Sequence, residues 1–464
     1  MAFRDRPGPG PPVTQNLIVL VADTLRHPDG VPGLSLPRHM PFLASRLPRA
    51  REVPDLMASS SWTLPSHLAL LAGSHPAETS ALLGAPQAAP PTLATAWRKA
   101  GGESLAFSAN YLVQPSMGVG KDFDAFNPGA PFALSEPILR GWQSGGLERR
   151  LFEALADHQR SPRRLLPRLR AQALWQLSSG VYAGTQLLYH GPTVVRSLDR
   201  ALRVRDRPPL LLFVNLLDAH EPYLRGETGP WPDWGHLPGL GLCQHVPNLA
   251  RGNAAASMQR AYRSALGRLD SSLAGIFRTL SRRGYLEDAR VLLVSDHGQS
   301  LGEHGFYGHG YYLYDELVRV PGYLWEFRGG RALDPGPLPP GPWDHRHLSS
   351  VLGAWIASPG SLAAPEPWQR ARDRLGPALS VVESVPPHPP EGPRHAAVHG
   401  PRHVQSRIFP APESPVSPRS GGLGRDGESS LSPLRTYPLE GGPTEPPAPL
   451  ESEVEERLRA WGYL

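Results

Sequence analysis

Acidic and histidine side chains stand directly after two runs that the sequence predicts to be buried strands. Asp23 follows residues 16–22 (NLIVLVA), and Asp296 and His297 follow residues 291–294 (VLLV). Because ligands of open α/β sheets bind beside the carboxyl ends of the strands, we expect these side chains to meet at one crevice. Carboxylate oxygens and a neutral imidazole nitrogen together suit a divalent cation. The alternative for Asp23 is that it only caps a helix.

Two further histidines lie close to the ends of predicted strands. His220 follows the apolar run 209–217 (PLLLFVNLL), and His309 lies with His304 in a loop punctuated by glycines. Glycine lets a backbone approach a bound anion closely. The alternative is a surface loop that happens to contain several histidines.

A hydroxyl group stands at the start of a predicted helix within residues 58–76 (ASSSWTLPSHLALLAGSHP). Pro65 suits the first turn of that helix, which places Thr63 at or near the N-cap. A hydroxyl there faces free N–H groups and the positive end of the helix dipole, which stabilise an alkoxide or a bound oxyanion. These residues alone leave open the alternative that Thr63 merely caps the helix.

The elements that position these residues alternate between buried strands and helices, which predicts the α/β class. An apolar stripe with three–four spacing predicts a long helix over residues 257–283. We divide the chain into a disordered N-terminus (1–15), an α/β catalytic domain (16–360) with a helical insertion (131–208), and a small C-terminal subdomain (361–464). Pro/Gly-rich composition predicts that this subdomain is partly disordered, with a terminal helix.

The composition restricts the class of protein and its partners. The chain has 464 residues, a net charge of +5 and one cysteine, Cys243, which excludes an intramolecular disulfide. It contains no apolar run of 18 residues and no secretory h-region in residues 1–15, so we expect a cytoplasmic protein without a transmembrane segment. No nucleic-acid-binding module is recognisable, and no nucleic-acid partner is expected. The basic helices within residues 146–182 are expected to be solvated, with peripheral membrane contact as the alternative.

Four motifs in this order resemble the sulfatase family of the alkaline phosphatase superfamily: NLIVLVADTLR, SSWTLPSH, LLFVNLLDAHEPY and SDHGQSLGEHGFYGHG. The resemblance covers most of residues 14–330 and, more weakly, the C-terminal tail. It implies an alkaline-phosphatase-like three-layer αβα domain with a mainly parallel sheet, followed by a small C-terminal α+β subdomain.

The resemblance also implies a role for individual residues. The implied metal ligands are Asp23, Thr63, Asp296 and His297. Thr63 stands at the position of the nucleophile, and His220 and His309 match positions that hold the oxyanion oxygens and the leaving group. The implied substrate-binding residues are Ser66, His67, His220 and His309.

The nucleophile motif departs from that of most sulfatases. Thr63-Leu64-Pro65-Ser66-His67 stands where the family typically has Cys/Ser-x-Pro-x-Arg. Threonine cannot be converted to formylglycine, so no formylglycine is expected. In this respect the chain looks more like superfamily members with an unmodified threonine, such as phosphodiesterases and phosphoethanolamine transferases.

These observations predict a metal-dependent hydrolase or transferase that acts on small anionic phosphate or sulfate esters through Thr63. One divalent ion (Ca²⁺, Mn²⁺ or Zn²⁺) is expected. The first alternative is a sulfuric ester hydrolase proper with an unmodified threonine. The second is a catalytically degenerate member that only binds anions, which Ala22, His67 and Gln299 make conceivable. The alcohol of the substrate and the oligomeric state stay open.

Overall fold

Several regions of the chain are described in a computed structural model. The described residues are 14–76, 90–108, 110, 112–115, 118–128, 190–203, 209–221, 223, 253–303, 307–310, 313–334, 336–358, 360, 364–376, 378–382, 395–399 and 404–408. Most of the predicted insertion, Cys243 and the predicted C-terminal helix lie outside these residues.

The strands of the described part are short except at the centre of the molecule. They are β1 (Asn16–Ala22), β2 (Arg51–Glu52), β3 (Leu56–Met57), β4 (Glu103–Ser108), β5 (Ala125–Phe126), β6 (Leu210–Leu216), β7 (Asp288–Val294), β8 (Ser300–Leu301), β9 (Tyr307–Gly308), β10 (Gly322–Arg328), β11 (Arg331–Ala332), β12 (Trp343–Asp344), β13 (Ala378–Val382), β14 (His395–His399) and β15 (Val404–Ile408).

The helices of the described part vary from one turn to eight turns. They are α1 (Leu36–His39), α2 (Pro41–Arg46), α3 (Thr63–Ala72), α4 (Leu93–Lys99), α5 (Gly191–Arg203), α6 (Asn253–Arg282), α7 (Asp315–Val318), α8 (His345–Ala357) and α9 (Pro365–Leu375). None of these helices is both long and apolar enough to cross a membrane.

A mostly parallel sheet forms the centre of the molecule, in the order β11-β10-β7-β1-β6-β4-β5, with β2 also paired to β10. Strands β7, β1, β6, β4 and β5 run parallel, and β10 runs antiparallel to β7. Val21 of β1 pairs with Val294 of β7 and with Asn215 of β6. This register places Asp23 and Asp296, each two residues further on, level with one another at the same edge.

Helices cover both faces of this sheet, so the central strand β1 is buried on both sides. Leu17, Val19 and Val21 face one core, which is shared with α3, α4 and α8. Ile18 and Leu20 face the other core, which is shared with α5 and α6. A continuous apolar strand suits this double burial. The predicted three-layer αβα class is confirmed.

The long helix predicted over residues 257–283 is α6. Its stripe of Tyr262, Leu266, Leu269 and Leu273 is buried against the sheet. The helix begins at Asn253, four residues earlier than predicted, because the residues before Met258 show no apolar stripe although their three alanines favour a helix.

Among the described residues, three small sheets lie beyond the main sheet, and one of them is the antiparallel pair β8–β9. β12 pairs in parallel with β3, directly before the segment that leads to Thr63. β13, β14 and β15 form an antiparallel sheet within the predicted C-terminal subdomain. The proposed division into domains and the peripheral contact through residues 146–182 stay predictions, since the latter residues lie outside the described part.

Candidate active site

Asp296 and His297 follow β7 and are fully buried. Asp296 Oδ1 accepts hydrogen bonds from the backbone N–H groups of Thr24 (3.2 Å) and His297 (2.9 Å). Its Oδ2 has no hydrogen-bond partner among the described residues and lies 3.4 Å from His297 Nε2. His297 donates its Nδ1–H to the Gly298 carbonyl at 2.9 Å. The lone pair of its Nε2 is therefore directed to the carboxylate.

Asp23 follows β1 and is held in the same way through one oxygen. Its Oδ2 accepts from the side-chain amides of Asn110 (2.9 Å) and Asn215 (3.3 Å). Its Oδ1 has no hydrogen-bond partner in the described structure and lies 3.9 Å from His297 Nε2. Each carboxylate thus keeps one oxygen fixed by protein donors and turns the other to the same imidazole.

The residues Asp23, Asp296 and His297 fit a divalent cation. Each offers one ligand atom, and these atoms lie within 4.8 Å of one another. Burial, followed by the charge of Asp23, raises the pKa of Asp296 well above its usual value, whereas burial lowers the pKa of His297 to about 4. Two buried carboxylates this close together are costly without a compensating positive charge. Two hard oxygens and a neutral imidazole provide the donor set for that charge.

Thr63 is the first helical residue of α3, and Trp62 is the N-cap. Its side chain is almost completely buried. Thr63 Oγ1 lies 3.3 Å from His297 Nε2 and 3.4 Å from Asn110 Nδ2. The hydroxyl is therefore next to the unpaired carboxylate oxygens and at the positive end of a ten-residue helix.

His220 and His309 lie beside this group. The ring centroid of His309 is 4.4 Å from that of His297 and 5.0 Å from that of His220. His309 Nδ1 donates to Gln299 Oε1 at 2.8 Å, and His220 Nδ1 donates to the Glu221 carbonyl at 2.7 Å. His220 Nε2 lies 4.0 Å from Asp23 Oδ1. The structure thus brings all six predicted catalytic and metal-binding residues together.

The surroundings of the two histidines shift their pKa values in opposite directions. Burial lowers the pKa of His220, but the charges of Glu221 and Asp23 outweigh burial and raise it above its ordinary value. Burial and the imidazoles of His297 and His220 hold the pKa of His309 well below its ordinary value. Neighbouring groups whose pKa values are driven apart are suited to opposite roles in proton transfer.

Ser66 and His67 lie behind Thr63 and are fully buried. Ser66 Oγ donates to the Ser60 carbonyl (3.0 Å) and accepts from the Ser60 N–H (3.2 Å). His67 Nδ1 donates to the Thr63 carbonyl at 2.8 Å, and its Nε2 accepts from Asn215 Nδ2 at 3.2 Å. The contacts of both side chains are thus with protein groups, and the predicted substrate-binding role stays a prediction.

Asn110, Asn215 and Glu221 belong to the site but were not among the predicted site residues. Asn215 carries a detectable signal, because it is a polar residue inside the apolar strand β6. Glu221 also does, since its carboxylate follows His220 at the end of that strand; its Oε1 lies 3.6 Å from His309 Nδ1. Asn110 lies two residues beyond β4 in an otherwise ordinary loop, so sequence alone gives it no distinction.

The family of the chain is settled by sequence comparison. A model described as Sulfatase matches residues 15–332, which is more than half of the chain. The chain belongs to the sulfatase family. This confirms the resemblance found in the four motifs. No curated protein matches the sequence at a significant level.

Solved structures confirm the alkaline-phosphatase-like fold. The phosphonate monoester hydrolase of Agrobacterium radiobacter is 15% identical, with a TM-score of 0.52 over 85% of this chain and 87% of that chain. The phosphonate monoester hydrolase of Silicibacter pomeroyi has the same identity, TM-score and coverage. The integral membrane lipooligosaccharide phosphoethanolamine transferase A from Neisseria meningitidis is 15% identical, with a TM-score of 0.47 over 78% of this chain. The chain spans 58% of the length of that transferase.

Proposed function

We propose that this sulfatase-family chain is a metal-dependent phosphoester hydrolase or transferase in which Thr63 is the nucleophile. The observation that carries the proposal is the position of Thr63 Oγ1, 3.3 Å from His297 Nε2. The same nitrogen lies 3.4 Å from Asp296 Oδ2 and 3.9 Å from Asp23 Oδ1, and neither of these buried oxygens has a hydrogen-bond partner among the described residues. A hydroxyl that only stabilised the start of α3 would not need to lie beside the proposed metal ligands.

The residues that would hold the cation are Asp23, Thr63, Asp296 and His297. When bound, a divalent ion such as Mn²⁺, Zn²⁺ or Ca²⁺ supplies positive charge that lowers the pKa of the Thr63 hydroxyl and offsets the charge of an anionic ester. The amide donors on Asp23 Oδ2, from Asn110 and Asn215, keep its Oδ1 turned to this position.

The reaction exchanges one bond at the central atom of the ester in each of two steps. First, the Thr63 hydroxyl loses its proton and Oγ1 bonds to phosphorus, while the bond to the alcohol oxygen breaks and that oxygen gains a proton. Then water or an acceptor alcohol loses a proton and bonds to phosphorus, while the bond from phosphorus to Thr63 Oγ1 breaks and Oγ1 regains a proton. His220, whose pKa is raised, is the proposed proton donor, and His309, whose pKa is lowered, is the proposed acceptor.

Negative charge on the transferred group needs fixed donors. The Asn110 amide lies 3.4 Å from Thr63 Oγ1, and α3 directs its positive end to the same place. Such preorganised donors stabilise the charge that develops during group transfer.

Phosphorus is proposed over sulfur for two reasons. Thr63 cannot become the formylglycine of typical sulfatases, and two structures of the same fold are phosphonate monoester hydrolases. Sulfate esters stay the alternative substrate class, and a degenerate anion-binding protein stays the alternative to an enzyme.

One panel of model substrates tests the proposal. Aryl phosphate, phosphodiester, phosphonate and sulfate esters are assayed with Mn²⁺, Zn²⁺ and Ca²⁺ added separately to metal-depleted protein. We expect metal-dependent release of the aryl alcohol from a phosphorus ester. Turnover of the sulfate ester alone would favour the alternative substrate class, and no turnover together with no metal binding would favour the degenerate member.

A further inference from the structure

His345, the first residue of α8, places its ring between the two segments that carry Thr63 and Asp296. The Ser59 N–H donates to His345 Nδ1 at 3.3 Å, and His345 Nε2 donates to the Ser295 carbonyl at 2.9 Å. Ser59 lies four residues before Thr63, and Ser295 directly precedes Asp296. One imidazole therefore joins the backbones of both segments.

Ser295 extends this connection to the first strand. Its Oγ lies 2.8 Å from the Ala22 carbonyl and 2.7 Å from the His297 carbonyl, and these two acceptors share its single hydroxyl hydrogen. Ala22 directly precedes Asp23. The contacts of Ser295 and His345 thus reach all three segments from which the proposed metal ligands come.

His345 is itself held rigidly at the start of its helix. Asp344 is the N-cap, and its carboxylate accepts from the N–H groups of Arg346 (2.9 Å) and His347 (3.2 Å) and pairs with the Arg346 guanidinium at 2.5 Å. Trp343 of β12 pairs with Leu56 of β3. A capped helix start and a strand pair fix the position of the ring relative to the segment before Thr63.

The chemistry of His345 suits a bridge between two backbones. The side chain is fully buried, and burial lowers its pKa to about 4, so the ring is neutral at pH 7. A neutral imidazole has one donor and one acceptor on a rigid ring, and here the Ser59 N–H and the Ser295 carbonyl use both.

We infer that His345 is a positioning residue that sets the distance between the Thr63 segment and the Asp296 segment. The functional unit therefore extends into α8, beyond the residues 15–332 that match the family model. The effect on rate rests on the proposed function, whereas the effect on the two backbone segments does not. A displacement of about 1 Å between reacting groups can lower a rate by about 100-fold.

The test compares His345→Phe with the matched control His347→Phe, which removes a buried imidazole from the same helical turn. His347 bonds Asp344 and the Gly376 carbonyl, and neither of these belongs to the catalytic segments. The conservative variant His345→Gln keeps a donor for the Ser295 carbonyl. Amide hydrogen exchange is followed in peptides covering residues 56–64 and 292–298, and kcat and KM are measured on the ester that the wild type hydrolyses.

We expect His345→Phe to exchange at least tenfold faster than the wild type in both peptides. His347→Phe loosens the Asp344 cap but keeps the ring that joins the two segments, so its exchange there should rise by a clearly smaller factor. We also expect kcat to fall about 100-fold in His345→Phe with KM little changed, and to recover in part in His345→Gln. Unchanged exchange in both peptides, or equal effects of His345→Phe and His347→Phe, would overturn the inference. If His345→Phe does not fold, the same comparison is made with His345→Gln. If the wild type hydrolyses no ester, the proposed function fails, while the exchange result still decides the role of His345.

Discussion

At the scale of single residues, the candidate site depends on two carboxylates in which one oxygen accepts hydrogen bonds from the protein and the other is available to a cation. Asp23 and Asp296 each give one oxygen to protein donors and leave the other without a partner in the described structure. A buried polar atom without a partner costs free energy, which a bound cation would recover. The arrangement therefore makes metal binding the property most sensitive to these two side chains.

Asp296→Ala is expected to abolish the binding of a divalent ion and the activity together, because it removes one of the two carboxylates and leaves Asp23 as the only charged ligand beside Thr63 and His297. Titration calorimetry with Mn²⁺ measures the stoichiometry. Glu303→Gln is the control, since Glu303 pairs with Arg26 outside the ligand group and should leave one ion bound. Stoichiometric metal in Asp296→Ala would refute the ligand assignment.

His309→Ala is expected to keep the metal but to lower kcat/KM by about 10²- to 10⁴-fold, because it removes the proposed proton acceptor. The metal is kept because His309 contacts the ring of His297 and the side chain of Gln299 and makes no contact with the unpaired oxygens of Asp23 and Asp296. Metal content by atomic emission and kcat/KM together measure the two effects. Loss of the ion in this variant would instead indicate a site for two ions.

The sequence located the residues that stand at the ends of strands, because burial makes a polar residue there conspicuous. Asp23, Asp296 and His297 each follow a completely apolar run, and the structure brings them together. Asn110 could not be predicted as a site residue, because its position near Asp23 depends on the strand order, which places β4 beside β6. No local pattern contains that information. His345 could not be predicted for the same reason, since its partners are 286 and 50 residues away in sequence.

At the scale of elements, a group of ion pairs between charged side chains joins α5 to the C-terminal end of α6. Asp199 of α5 accepts from Arg203 (2.9 Å), Arg282 (2.7 Å) and Arg283 (2.8 Å). These hydrogen bonds lower the pKa of Asp199 to about 2, and the bond from Arg283 has the largest effect. Because the pKa is lower in the folded state, the stabilisation is fully present above the ordinary pKa of 3.8 and is lost as pH falls through about 2.

Asp199→Asn is therefore expected to lower the free energy of unfolding by about 1–2 kcal/mol at pH 7, a value reduced because Arg203 and Arg282 are mostly exposed to solvent. Urea unfolding of the wild type and the variant at pH 7 and at pH 3 measures the difference, which should shrink at the lower pH. A difference that is constant or grows on acidification would contradict the assigned charge.

Elements with a clear hydrophobic period were predictable, and elements formed by pairing were not. The long strands β1, β6 and β7 and the helix α6 agree with their apolar patterns. The two-residue strands β8 and β9 carry too few residues for any period, and only their pairing with one another defines them.

At the scale of the whole molecule, the candidate site lies at the edge of the main sheet where β1 and β7 end. The sheet register and the starts of the helices α3 and α8 position its residues there. Both cores contribute: α3 and α8 pack on one face of the sheet, and α6 supports the other through Tyr262, whose hydroxyl bonds the Arg26 N–H (2.9 Å) and the Thr24 carbonyl (2.9 Å). The predicted cytoplasmic location stays a prediction. So does the role of the basic residues 146–182, which lie outside the described residues.

The most direct test of the central claim is whether Thr63 becomes esterified during turnover. His309→Ala, in which removal of the ester should be slow, is mixed with substrate and quenched, and the peptide that contains Thr63 is analysed by mass spectrometry and phosphorus NMR. We expect a phosphorylated threonine, no adduct and no turnover in Thr63→Ala, and partial activity in Thr63→Ser, which keeps the hydroxyl. A sulfated threonine would favour the sulfate ester alternative. Full activity in Thr63→Ala, with no adduct on the wild-type peptide, would contradict nucleophilic catalysis by Thr63.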